Sequence, residues 1–212
     1  MITTVKYLSL TLLGIGVFIL MQVTLPIISF KIWEIRLVAD GRILSPEVPK
    51  EQVLGITVQT GNSFPAFISN LKRETMPGFD RFNLTVFSLD ISKADVFVDS
   101  NDLSKGLAHL PGTALPGEKG NVFISGHSSL PVLSKGSAAY FAGLSNVKKG
   151  DSIILTTSGS EYRYKVVDIK LVKPEETWVI NPPDDKGRYV TLMTCVPPGL
   201  NTKRLIVLGK MI

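Results

Sequence analysis

A chain of 212 residues can hold one ordinary domain and a membrane anchor. Its Lys and Arg exceed its Asp and Glu by five, but these cations are scattered, with no basic run and no interleaved aromatics. That pattern speaks against nucleic acid as a partner and fits a soluble surface near an anionic membrane or envelope. With a single cysteine there is no intrachain disulfide, and an odd thiol in an exported protein points to intermolecular pairing or reactivity.

In chain order, residues 1–6 precede an apolar, uncharged stretch at 7–30, YLSLTLLGIGVFILMQVTLPIISF, long enough to cross a bilayer as one helix. A secretory signal peptide is the competing reading. The stretch exceeds a typical signal core and no clear small-residue cleavage site follows, which favours an uncleaved signal anchor. Lys6 on one side and Lys31 and Arg36 on the other leave the orientation open by charge alone. Residues 31–77 read as a juxtamembrane segment and linker. They mix Trp33, Ile35 and Leu37 with charges, turn Pro-rich at SPEVPK, and contain a strand-like VLGITVQTG and a helix-like FPAFISNLKRE.

Residues 78–212 read as a separate β domain. FNLTVFSL, ADVFV, NVFISG, DSIILTT, YRYKVVDIKLV, RYVTLMT and KRLIVLG are β-branched or aromatic runs bounded by Gly, Pro, Asn or Asp. Seven or eight such runs predict a mainly β fold, a closed or partly closed barrel in which closure removes exposed edges. One to three short helices are expected on it. SAAYFAGLSNVKKGD supplies one, with Ala139, Phe141 and Leu144 on its apolar side, and DLSKGLAH a further helical turn.

Cys195 follows the strand RYVTLMT and precedes VPPG, whose two prolines stop the sheet, so the thiol is expected at a strand end. A small buried core residue is the bland alternative. A catalytic thiolate needs a base or cation nearby, and a planar guanidinium suits the oxyanion that its attack creates. Arg204 fits that part: Lys203 offers the solvent-facing charge, and alternation sends Arg204 to the other face. His127 closes NVFISGH where strand becomes loop, a good position for an acid or base. His109, in GLAHLPG, is the weaker candidate. Thr194, beside the thiol, is a candidate donor to the oxyanion or simply strand filling. Residues 173–188 form a long connection before the nucleophile strand, of the kind that is functional or mobile.

TLMTC from Thr191 to Cys195, Arg204 within NTKRLIV, and PGTALPGEKGNVFISGH from Pro111 to His127 together resemble the sortase family, the membrane-anchored cysteine transpeptidases of bacteria. The resemblance covers roughly residues 80 to 212. It implies catalytic His127, Cys195 and Arg204, with Arg204 binding substrate and steadying the oxyanion. It also implies a substrate groove whose apolar wall is Trp178, Val179 and Ile180, although Trp178 reads equally as a core anchor. Implied partners are secreted proteins with a C-terminal sorting signal and an amine acceptor of peptidoglycan or of a protein subunit. The implied location is a bacterial membrane, with residues 1–6 cytoplasmic and the catalytic domain outside. No cofactor or metal is implied. Met193 departs mildly from the family's aliphatic branched residue. The absence of an Asp-Pro-aromatic motif before the barrel points to a housekeeping or class D/E-like type rather than a lid-bearing pilin type. A cysteine peptidase using water as acceptor, and a tethered barrel that binds peptides without catalysis, are the alternatives.

Overall fold

The computed structural model describes residues 2–39, 56–58, 67–69, 77–128, 139–198 and 202–212. The chain forms two compact units, residues 1–44 and 45–212.

In the first unit, α1 (Ile2–Ala39) extends beyond the apolar stretch into the charged residues that follow. Its part Ser9–Arg36 is a candidate membrane span. Leu10, Leu13, Phe18, Leu20 and Leu25 are all exposed, so the helix is apolar on every side, which suits a lipid environment. The hydroxyls of Thr11 and Thr24 donate to the carbonyls of Tyr7 and Leu20 one turn back, satisfying themselves within the helix.

The second unit is built on a closed barrel. Its strands are β3 (Arg81–Val86), β4 (Ile91–Phe97), β5 (Leu107–His109), β6 (Gly120–Ser125), β7 (Ser152–Thr156), β8 (Glu161–Val172), β9 (Arg188–Val196) and β10 (Lys203–Met211). Their order around the barrel is β10-β8-β7-β3-β4-β5-β6-β9. Two neighbouring pairs, β4 with β5 and β6 with β9, are parallel; the others are antiparallel. The predicted runs supply seven of the eight strands, and each closes a ladder whose inward residues, such as Leu84, Val122, Ile153, Leu192 and Val207, are fully buried. Short 3-10 turns at Phe87–Leu89, Leu144–Asn146 and Thr177–Ile180 are the helical elements of this unit among the described residues.

Three local expectations change. The helix expected from SAAYFAGLSNVKKGD is, in its described part, a run of turns ending in the 3-10 turn at Leu144–Asn146. DLSKGLAH contains β5, because Leu107–His109 pairs with β4 on one side and β6 on the other. In FPAFISNLKRE the described residues form β2 (Phe67–Ser69), antiparallel to β1 (Ile56–Val58). Phe67 is 1% exposed and its ring lies 5.8 Å from that of Phe123, while the Ser69 hydroxyl donates to the Pro111 carbonyl at 2.7 Å. The packed unit therefore reaches ahead of residue 78.

Candidate active site

Alternation along three adjacent strands sets up one face outside the barrel interior. Three rows cross it: Asp168–Leu208–Thr191, then Lys170–Ile206–Met193, then Val172–Arg204–Cys195. Each row lies two residues, about 6.8 Å, from the next along an antiparallel strand. Cys195 and Arg204 are thus direct cross-strand partners with side chains on the same face. Both are buried, at 2% and 1% exposure, while Lys203 stays half-buried. Arg204 Nη1 donates to the Lys203 carbonyl at 3.2 Å.

β6 lies on the other side of β9, in parallel register as far as Ser125 opposite Met193. The Gly126 N–H donates to the Met193 carbonyl at 3.1 Å, which holds the chain on this line one step further. His127 therefore follows Ser125 by the same two residues that separate Cys195 from Met193. Arginine stands on one strand flanking the thiol strand, and the histidine follows the end of the other by two residues. Gly126 is required by space: a Cβ there would lie 2.6 Å from both Leu107 Cδ2 and Phe141 Cδ2.

Burial pushes the Cys195 thiol above its ordinary pKa, and the Arg204 charge pulls it part of the way back. Burial holds the His127 imidazole below its ordinary value, opposed by a hydrogen bond to the Leu103 backbone. Both shifts favour uncharged partners at neutral pH.

Thr194 points away from this face. Its hydroxyl donates to the Gly126 carbonyl at 2.8 Å and is committed to fastening the turn before His127 onto the thiol strand. His109 is fully buried and engaged on both ring nitrogens. Nδ1 accepts from the Asp99 N–H at 3.2 Å, and Nε2 lies 2.9 Å from both the Ala114 carbonyl and the Thr113 hydroxyl. With Nδ1 accepting, the proton sits on Nε2 and donates to Ala114. These bonds tie together the loops around β5.

The connection between β8 and β9 carries the 3-10 turn Thr177–Ile180, which lies over the outer face. A cleft of about 190 Å³ opens there, lined by Trp178, Val179, Pro182, Thr191, Ile206 and Leu208 among others. Trp178 and Val179 form part of its wall. Ile180, 5% exposed, packs instead into the cluster with Met193, Ile206 and Phe67. Lys170 places its ammonium 5.2 Å from the Trp178 ring centroid, and Asp168 binds Lys149 and Lys170 at 3.0 and 3.2 Å. Sequence reasoning missed Asn121, whose amide bridges this wall and Thr191. It also missed the Leu103 carbonyl as a partner of His127. Neither contact has a local pattern. Among the described residues no cluster of His, Cys, Asp and Glu could hold a metal ion.

A sortase-domain model matches residues 75–212. Sortase A of Bacillus anthracis is 30% identical over 148 residues, 69% of this chain and 66% of that protein. Sortase D of Bacillus subtilis (strain 168) is 31% identical over 115 residues, 53% of each chain. The matches thus span between about half and two thirds of these relatives' length. Among solved structures, a lid mutant of sortase A from Corynebacterium diphtheriae superposes with a TM-score of 0.56 at 31% identity, over 63% of this chain and 70% of that one. A pilus-related sortase C of Group B Streptococcus gives 0.56 at 31% identity, over 65% and 69%. Since the domain match takes in the whole barrel and more than half of the chain, this protein belongs to the sortase family, the cell-wall sorting transpeptidases.

Proposed function

We propose that this chain is a cysteine transpeptidase that cleaves an LPxTG-like C-terminal sorting signal of secreted proteins and transfers the acyl group to an amine of the cell envelope or of another protein. The observation that carries this reading is the single face on which Cys195 and Arg204 are paired, with His127 two residues beyond the end of the adjacent strand and an apolar cleft two rows away. Thr191, at the cleft, lies four positions along the strand from Cys195, a span of about 13 Å, which an extended peptide of about four residues covers. A short motif with an apolar residue in the cleft would then present its scissile carbonyl to the thiol.

The Cys195 thiol passes its proton to His127, and the sulfur attacks the carbonyl carbon. The guanidinium of Arg204 stabilises the oxyanion, a contribution typically worth about 2.7–4 kcal/mol for preorganised donors. On collapse the C–N bond breaks and the His127 imidazolium protonates the departing amine, leaving a thioester on Cys195. An incoming amine attacks the thioester and gives a proton to His127; the C–S bond breaks, and the expelled Cys195 thiolate takes that proton from the imidazolium to restore the uncharged pair. α1 holds the domain at the membrane, with residues 1–6 in the cytoplasm and the barrel outside.

The test is substitution with kinetics. Cys195→Ala and His127→Ala each abolish acyl-enzyme turnover, and Arg204→Lys impairs it strongly because a point charge does not replace the planar fork. Wild-type turnover in Arg204→Lys would remove the assigned role of the guanidinium.

A further inference from the structure

We propose that Asn121 is a positioning residue for peptide binding, whose side-chain amide locks the wall of the cleft to the strand that carries the thiol. The inference rests on the transpeptidase reading and adds a determinant of substrate affinity to it.

Asn121 lies near the start of β6, 3% exposed, on the same outward face as Phe123. Both ends of its amide are used. Nδ2 donates to the Ile180 carbonyl at 2.9 Å and lies 3.5 Å from the Val179 carbonyl. Oδ1 accepts from the Thr191 hydroxyl at 3.0 Å. Val179 and Thr191 both line the cleft, one from the 3-10 turn and one from β9. A buried amide therefore bonds wall to floor, beside the apolar packing of Val179 and Ile180 on Met193 and Ile206.

Other hydrogen bonds described for this connection run within it or at its end. Lys173 N–H reaches Glu176, the Trp178 indole reaches Glu176, and Asp184 receives bonds from Lys186, Gly187 and Tyr189. Asn121 instead ties the middle of the connection to the barrel. Only a group that is donor and acceptor at once can do this: aspartate keeps the bond from Thr191 but cannot donate to Ile180, and alanine does neither. Losing the tie takes the donor from the Ile180 carbonyl and leaves the wall held by apolar packing alone, which does not fix its hydrogen-bond register. Cys195 and Arg204 sit two rows further along and keep their own pairing. Binding should suffer and chemistry should not.

The experiment uses the full chain in detergent micelles and compares wild type with Asn121→Ala, Asn121→Asp and the near-isosteric Thr191→Val. Hydrogen exchange is read over residues 177–183, and kcat and KM are measured with an LPxTG peptide. The expected result is faster exchange confined to that segment in both Asn121 variants. With it, KM rises about three- to tenfold, the equivalent of one lost hydrogen bond, while kcat stays within about twofold. Thr191→Val should move KM in the same direction by less, and alkylation of Cys195 by iodoacetamide should keep its wild-type rate. Unchanged exchange at 177–183 overturns the proposal whatever the activity. A fall in kcat with unchanged KM also overturns it, because that pattern belongs to general destabilisation. A wild-type chain that neither binds nor turns over the peptide overturns the transpeptidase reading, and this role falls with it.

Discussion

Replacing Gly126 by alanine adds one methyl group at the hinge between β6 and His127. The new Cβ would lie 2.6 Å from Leu107 Cδ2 and from Phe141 Cδ2, about 1 Å inside ordinary carbon–carbon contact. Leu107 and Phe141 are themselves fully buried, so neither can swing into solvent. The backbone is also held, by the Gly126 N–H on Met193 and by the Thr194 hydroxyl on the Gly126 carbonyl. Overpacking of this kind costs about 1–3 kcal/mol. For a domain of this size that is a fall in melting temperature of about 2–12 °C. Because the strain sits one residue before the imidazole, a shift of about 1 Å at His127 would also lower kcat/KM by about a hundredfold. Thermal unfolding and peptide-turnover kinetics of the purified variant measure the two effects. An unchanged melting temperature and unchanged turnover in Gly126→Ala would mean that the site accommodates a Cβ and that His127 does not depend on this glycine.

Turnover should rise from the acid side through the depressed pKa of His127 and fall on the alkaline side through the raised pKa of Cys195. The plateau should accordingly be wider than ordinary imidazole and thiol values give. Alkylation of Cys195 follows the thiolate, so its midpoint should lie above that of a free cysteine, and Arg204→Met should move it higher still by removing the charge that lowers it. A midpoint at or below that of a free cysteine would contradict the burial argument. Thr194→Val should destabilise by about 1–3 kcal/mol, read in denaturant unfolding, because the Gly126 carbonyl loses a buried partner. Trp178→Ala should raise KM with little change in kcat, since the ring lines the cleft away from the reacting groups; an unchanged KM would remove Trp178 from the substrate path.

Alternation and β-branched runs made most of the barrel legible, because a strand such as β9 carries its own period of two and its own stop at Pro197. β5 was not legible: Leu107–His109 is three residues long, too short for a period, and is a strand only because β4 and β6 flank it. Phe67–Ser69 is similar, held by β1 and by Pro111 and Asn101 rather than by any local pattern. At the candidate site, the opposition of Lys203 and Arg204 followed from alternation, and the proximity of Arg204 to Cys195 follows from the antiparallel register of β9 and β10. The bridge from Asn121 to Ile180 spans 59 residues of sequence, and the commitment of the Thr194 hydroxyl to Gly126 spans 68. Only packing brings such partners together. The charged residues after position 30 read as linker, yet α1 continues through them to Ala39.

The most direct test of transpeptidation is mass spectrometry of the purified chain mixed with a library of LPxTG-like peptides and with glycine-rich or diaminopimelate-type amines, using Cys195→Ala as the control. A thioester mass on Cys195 and a product joining peptide to amine are expected, both absent in the control. Cleavage without joining would make the protein a peptidase that uses water, and no covalent adduct with any peptide would contradict catalysis by Cys195 altogether.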